Sequence, residues 1–177
     1  GKHVFTKSMT MQEIMDELLT SKGAVPEETI TILEHWDLQT TAEYLVNEKK
    51  FDFTVDEFIE AAKVENFTEY PFLLDIPQER IESEDVISPL EGYLFPETYR
   101  VYADAQPEDI MRKMLNQFEK VYNETLMEQT IEMEMTVDEV VVLASIIQKE
   151  ARIDDEFDKI SAVFHNRLDE GMLLESC

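Results

Sequence analysis

The sequence predicts an α+β fold, mostly helical with a few short strands. Three observations predict it. Apolar side chains recur at helical spacing in several windows, four helix starts carry a Thr followed three residues later by Glu, and one β-branched stretch alternates polar with apolar residues. With 177 residues, of which 44% are hydrophobic, the chain suits one medium domain or two small ones and can bury a core without staples.

The Thr-to-Glu spacing allows two orphan backbone donors at a helix start to be satisfied reciprocally, and it occurs at Thr10/Glu13, Thr40/Glu43, Thr54/Glu57 and Thr136/Glu139. The first of these helices turns Met11, Ile14, Leu18 and Leu19 inward and ends near Gly23. The alternating run Glu28-Thr29-Ile30-Thr31-Ile32-Leu33 predicts a strand, with Val4-Phe5 as its partner. Two short helices follow over 41–49 and 55–63. The stretch 66–89, punctuated by Pro71, Pro77 and Pro89, is expected to be an irregular linker. Pro107 fits the first position of a helix whose stripe of Ile110, Met111, Met114, Leu115, Phe118, Val121 and Tyr122 carries it to about residue 127. The helix from Thr136 runs through about Ala151. The last one starts after Asp154 or Asp155, buries Phe157, Ile160, Phe164 and Leu168, and stops at Gly171. Core packing accounts for the nine methionines.

A formal charge of −25, from 15 basic and 40 acidic residues, would repel nucleic acid and anionic lipid, so neither is an expected partner. The lone cysteine, Cys177, allows no intrachain disulfide. No apolar run approaches the roughly 20 residues that span a bilayer, and both ends are abrupt, as in a piece of a longer protein. His3, His35 and His165 lack ligand spacing, and no phosphate-cradling loop or nucleophile elbow occurs. Neither a metal ion nor a cofactor is expected.

The helix from Thr136 holds the one arrangement with chemical promise. Leu143, Ile146 and Ile147 share a face, and the next position on it is Glu150. An ionised carboxylate is costly to bury, so a Glu on that face is expected to hold a proton near neutrality, as a general acid must. The pattern alone favours a solvated Glu at a helix end, or one paired with Arg152 or Lys159, since Glu on helices is usually solvated. Ser145 has no evident base and suits helix packing. Leu90-Glu91-Gly92-Tyr93-Leu94-Phe95-Pro96-Glu97-Thr98-Tyr99 concentrates aromatics beside a Gly and a Pro, which suits stacking on sugar rings or a packed turn and strand.

Three blocks in order resemble the YceG-type endolytic murein transglycosylases. Leu90 to Tyr99 is similar to the family's LEGxLFPxTY signature, Leu143 to Ala151 (LASIIQKEA) to its LASIIEKE helix, and Ala162 to Glu175 (AVFHNRLDEGMLLE) to its AVFxNRLxxGMxLQ block. Residues 1–23 and 31–45 resemble its membrane-proximal, LysM-like region. The resemblance divides the chain into a LysM-like region and linker, 1–85, and a C-terminally truncated catalytic domain, 86–177.

What the resemblance implies is a lytic transglycosylase held by a single N-terminal anchor, absent from this chain, at the extracytoplasmic face of the bacterial cytoplasmic membrane. It would cleave the β-1,4 bond between N-acetylmuramic acid and N-acetylglucosamine in nascent strands. The second acid of the family's EKE triplet is catalytic, which falls on Glu150. The first is replaced here by Gln148, which lies about 160° away on a helix of roughly 3.6 residues per turn. The implied chemistry is protonation of the glycosidic oxygen by Glu150, then closure of a 1,6-anhydro ring by the muramoyl C6 hydroxyl, with no second carboxylate needed. Glu91, Tyr99, Asn166 and Glu175 match signature positions and are the candidates for binding sugar or orienting Glu150. Implied partners are peptidoglycan glycan strands, peptidoglycan synthases, and division or elongation proteins. The alternative from another class is a non-catalytic wall-binding or scaffold module.

Overall fold

The computed structural model describes residues 9–19, 25–83, 87–151 and 156–174. Eight α-helices and two strands are found among them. In chain order these are α1 (Met11–Leu19), β1 (Glu27–Thr31), α2 (Leu38–Asn47), α3 (Val55–Ala61), α4 (Gln78–Ile81), β2 (Thr98–Tyr102), α5 (Pro107–Val121), α6 (Glu124–Glu132), α7 (Val137–Glu150) and α8 (Phe157–Asp169). Turns of 3-10 helix at Val64–Phe67 and Pro71–Asp75 join α3 to α4. The architecture is the expected α+β class, with one two-stranded antiparallel sheet.

That sheet pairs β1 with β2, Ile30 opposite Tyr99 and Glu28 opposite Val101. Ile30, Tyr99 and Val101 face the core, while the Thr31 and Thr98 hydroxyls meet at 3.0 Å outside it. The strand expected over 28–33 is thus present at Glu27–Thr31, with β2 beside it. Val4 and Phe5 lie outside the described residues, as does Gly23. β2 begins within the aromatic signature, where a packed turn and strand was one of the two readings, and continues it to Tyr102.

Helix starts follow the capping logic with one correction. At Thr54 and Thr136 the reciprocal bonds form, Glu139 N donating to Thr136 Oγ1 at 3.2 Å and Thr136 N to Glu139 Oε2 at 2.8 Å. Thr10 and Glu13 bond in the same way. Thr40 does not cap α2. Asp37 does, its carboxylate accepting from Thr40 N at 2.7 Å, so the helix begins at Leu38. An ionised acceptor at the positive end of the helix dipole outcompetes a hydroxyl three residues later.

These caps make stability depend on acid. Bonds from Thr40 hold Asp37 below its ordinary 3.8, and bonds from Thr54 hold Glu57 below its ordinary 4.5. A carboxylate with a depressed folded pKa stabilises above the unfolded value and stops doing so as pH falls through the folded one. Thermal melts are therefore expected to be flat from neutrality down to the ordinary carboxylate range and to fall below it. Asp37→Ala should blunt that fall.

Two further expectations are corrected. The stretch 66–89 is no linker: Phe67, Tyr70, Phe72, Leu73 and Ile76 are buried, and the Tyr70 hydroxyl bonds Asn116 Oδ1 of α5 at 3.0 Å. Pro71 starts a 3-10 turn and Pro77 caps α4, positions that need no backbone N–H. The helix expected from Pro107 to about residue 127 is two helices. α5 ends at Val121, and Asn123 begins α6 by accepting from Thr125 N at 3.1 Å and Leu126 N at 3.2 Å.

Ile30, Leu45, Phe58, Phe67 and Leu73 share one hydrophobic cluster with Leu90, Tyr93, Val101, Met111 and Leu115. No helix among the described residues is long and apolar enough to cross a membrane.

Candidate active site

α7 carries Glu150, and what fixes α7 is the signature loop that precedes β2. Asp138, Val141 and Ser145 lie on one face of α7 by their spacing of three and four. Gly92 sits against that face at a positive φ of 92°, and a Cβ there would lie 2.5 Å from Val141 Cγ1 and 3.6 Å from Ser145 Oγ. Glycine is needed twice over, for the backbone angle and for the approach. Ser145 turns its hydroxyl back to Val141 O at 2.9 Å, the packing role its sequence setting suggested.

A buried polar network reinforces the contact. Asp138, 4% exposed in the first turn of α7, forms an ion pair with Arg80 of α4 and accepts from the Tyr93 hydroxyl at 2.9 Å. Arg80 also donates to Glu91 O at 2.9 Å, and its guanidinium lies 6.0 Å from the Tyr93 ring centroid. Burial, with the negative charge of Asp138 beside it, pushes the Tyr93 hydroxyl pKa far up, so it stays a neutral donor. Sequence reasoning missed this network. Arg80 stood in the supposed linker, and Asp138 looked like an ordinary first-turn acid.

The predicted site residues do not gather into one cluster. Glu91 is half-buried, and its carboxylate accepts from Leu38 N at 3.2 Å, tying the signature loop to the start of α2. Tyr99 is buried with its hydroxyl donating to Phe95 O at 2.6 Å, and burial pushes its pKa up. Both side chains have internal work in this structure. Asn166 is exposed on α8. Glu175 lies outside the described residues.

Glu150 requires a correction. Along its face of α7, Leu143 is buried, Ile146 and Ile147 are half-buried, and Glu150 is exposed. The burial expected for its carboxyl is not found, because Glu150 is the last helical residue and packing thins steadily toward that end. Gln148 instead continues the row of Asp138, Val141 and Ser145 and is half-buried, on the other side of the helix. Beside them, Lys149 exerts its charge on Asp37 at the start of α2. Among the described residues no group of three or more His, Cys, Asp or Glu could hold a metal ion.

A model of the YceG-like family matches residues 1–177. The chain belongs to the YceG-like family. Relatives from this family include a protein named endolytic murein transglycosylase from Streptococcus pneumoniae (strain ATCC BAA-255 / R6), 30% identical over 190 residues, covering 99% of this chain and 34% of that protein. A protein of the same name from Bacillus subtilis (strain 168) is 30% identical over 182 residues, covering 99% of this chain and 49% of that one. The chain therefore spans between about a third and a half of the length of the curated relatives it matches. A crystal structure of a yceG-like protein from Listeria monocytogenes superposes with a TM-score of 0.70 at 23% identity, covering 94% of this chain and 55% of that one, which is a likeness of fold. The YceG-like fold, then, presents Glu150 at the open end of a helix whose other end is clamped.

Proposed function

We propose that this YceG-like protein is an endolytic lytic transglycosylase of peptidoglycan, with Glu150 as general acid and base. The observation that carries the reading is the likeness, over 99% of the chain, to proteins named endolytic murein transglycosylase. The exposure of Glu150 at the end of a rigidly held helix supports it, since an acid that meets a polymer must be reachable while its backbone stays fixed.

In this reading the glycan strand lies across the C-terminal end of α7. Glu150 protonates the oxygen that leaves the N-acetylmuramic acid C1, and the sugar develops oxocarbenium character. The resulting carboxylate takes the proton of the C6 hydroxyl, whose oxygen bonds C1 and closes the 1,6-anhydro ring. The nucleophile is tethered to the substrate, so no second carboxylate is required to activate water. Asn166 and Glu175 are proposed to contact the glycan directly. Glu91 and Tyr99 shape the loop on which α7 rests. The site of action is the extracytoplasmic face of the cytoplasmic membrane, and peptidoglycan synthases with division or elongation proteins are the partners this location implies.

Incubating the complete protein with peptidoglycan and analysing the products by mass spectrometry is expected to reveal chains ending in 1,6-anhydromuramic acid. Intact strands, or ends carrying a free reducing sugar, would overturn the reading.

A further inference from the structure

α6 lies largely in the open, yet it is firmly seated. Of its residues only Thr130 is buried, its hydroxyl donating to Leu126 O at 2.8 Å and hydrogen-bonding the hydroxyl of Tyr122, just past the end of α5. The Tyr122 ring stacks on Phe118 with centroids 5.4 Å apart and planes at 6°, and Tyr122 N donates to Phe118 O at 2.7 Å. Beyond the helix, Glu134 turns the chain back at a positive φ of 54°, and Met135 N bonds Thr130 O at 3.1 Å. The elbow between α5 and α6 is thus held at both ends.

One outward face of α6 mixes two chemistries. Glu124, Met127, Glu128 and Ile131 follow the spacing of three, four and seven that puts side chains on one face of a helix. Met127 is 39% exposed and Ile131 68%, and Val121 at the end of α5 is exposed as well. Between the two helices lies a cleft of about 570 Å³, lined by Glu119, Lys120, Tyr122, Glu124, Met127 and Glu128. Three carboxylates against one ammonium make its rim acidic, and the flexible thioether of Met127 can adapt to an incoming apolar side chain.

This combination selects its occupant by charge. A second copy of the chain would bring its own carboxylates to the cleft, and an anionic lipid surface would be repelled in the same way. The complementary surface is a helix with an apolar row beside a row of lysine or arginine. We propose that the cleft between α5 and α6 is a docking site for a basic amphipathic helix of a partner protein. Its apolar row covers Met127 and Ile131, and its cations meet Glu119, Glu124 and Glu128. The docking site goes beyond the transglycosylase reading and does not depend on it.

The probe is a synthetic helical peptide with leucine along one face and lysine along the other, its binding to the complete protein followed by calorimetry. Saturable one-to-one binding that weakens with salt is expected. Met127→Gln with Ile131→Gln keeps charge and helix propensity and should weaken binding about 5- to 20-fold. Glu124→Gln with Glu128→Gln should weaken it about 3- to 10-fold at low salt and flatten the salt dependence. Glu27→Gln with Glu28→Gln removes the same charge from exposed positions of β1 and should leave binding within about twofold. Absence of binding overturns the proposal, as does an equal loss from the β1 pair, which is what attraction to net charge alone would give. Binding by the 177-residue chain but not by the complete protein would mean that the protein's own polypeptide covers the cleft. A dimer in sedimentation that Met127→Gln with Ile131→Gln dissociates would give the cleft to a second copy. Either result overturns the docking site.

Discussion

Glu150→Gln is expected to reduce turnover of peptidoglycan by about 10²- to 10⁴-fold, the range over which a positioned acid and base accelerates proton transfer. The amide keeps the shape and hydrogen-bonding reach of the side chain but has no proton to give to the leaving oxygen and cannot receive one from C6–OH. Because Glu150 is exposed at the last turn of α7, the substitution should lower stability by no more than about 1 kcal/mol, the scale of a surface pair, which separates lost chemistry from lost structure. Gln148→Glu provides the contrast. It restores the first acid of the family triplet on the opposite side of the helix and should not rescue the Glu150→Gln protein. Mass spectrometry of the muropeptides reads both. Undiminished formation of 1,6-anhydro ends by Glu150→Gln would remove this residue from the mechanism.

The largest expected effect on stability comes from Asp138, far from the chemistry. Asp138→Ala deletes one half of a buried ion pair, leaves the Arg80 guanidinium in a site only 17% exposed, and removes the acceptor of the buried Tyr93 hydroxyl. Stranding a buried charge in this way costs about 3–5 kcal/mol, and the orphaned hydroxyl adds to it. Denaturant titration should show the unfolding free energy falling by that amount. Asp138→Asn, which can still accept from Tyr93 but carries no charge, should lie between the two. A loss for Asp138→Ala below about 1 kcal/mol, the scale of a surface pair, would mean that Arg80 finds another partner or reaches water.

Most of the helical framework was legible because its signals are local. A Thr and a Glu three residues apart, or a Pro followed by acids, act within one turn, and α3, α5 and α7 begin where those residues place them. What escaped was what depends on distant partners. Phe67 to Ile76 looked irregular because its helical pieces are too short for a stripe, and only the packed core shows what those side chains cover. β2 has its meaning from β1, and Arg80 from Asp138, 58 residues away. Family resemblance singled out Glu150, and helical phase put it in line with Leu143, Ile146 and Ile147. Phase could not foresee that burial along that face falls off before Glu150 is reached, because periodicity carries no information on where the neighbouring elements stop.

The pairing of Thr31 with Thr98 spans 67 residues, and everything between them is enclosed by that closure. During synthesis, then, α2, α3 and the turns after them leave the ribosome with their apolar faces uncovered until β2 emerges to complete the sheet. Bringing such distant strands together is entropically slow relative to forming the local helices. An unfolding-refolding cycle should accordingly recover helical signal well before Trp36 regains its native environment, and a nascent chain halted ahead of β2 is the form that a chaperone would most need to shield.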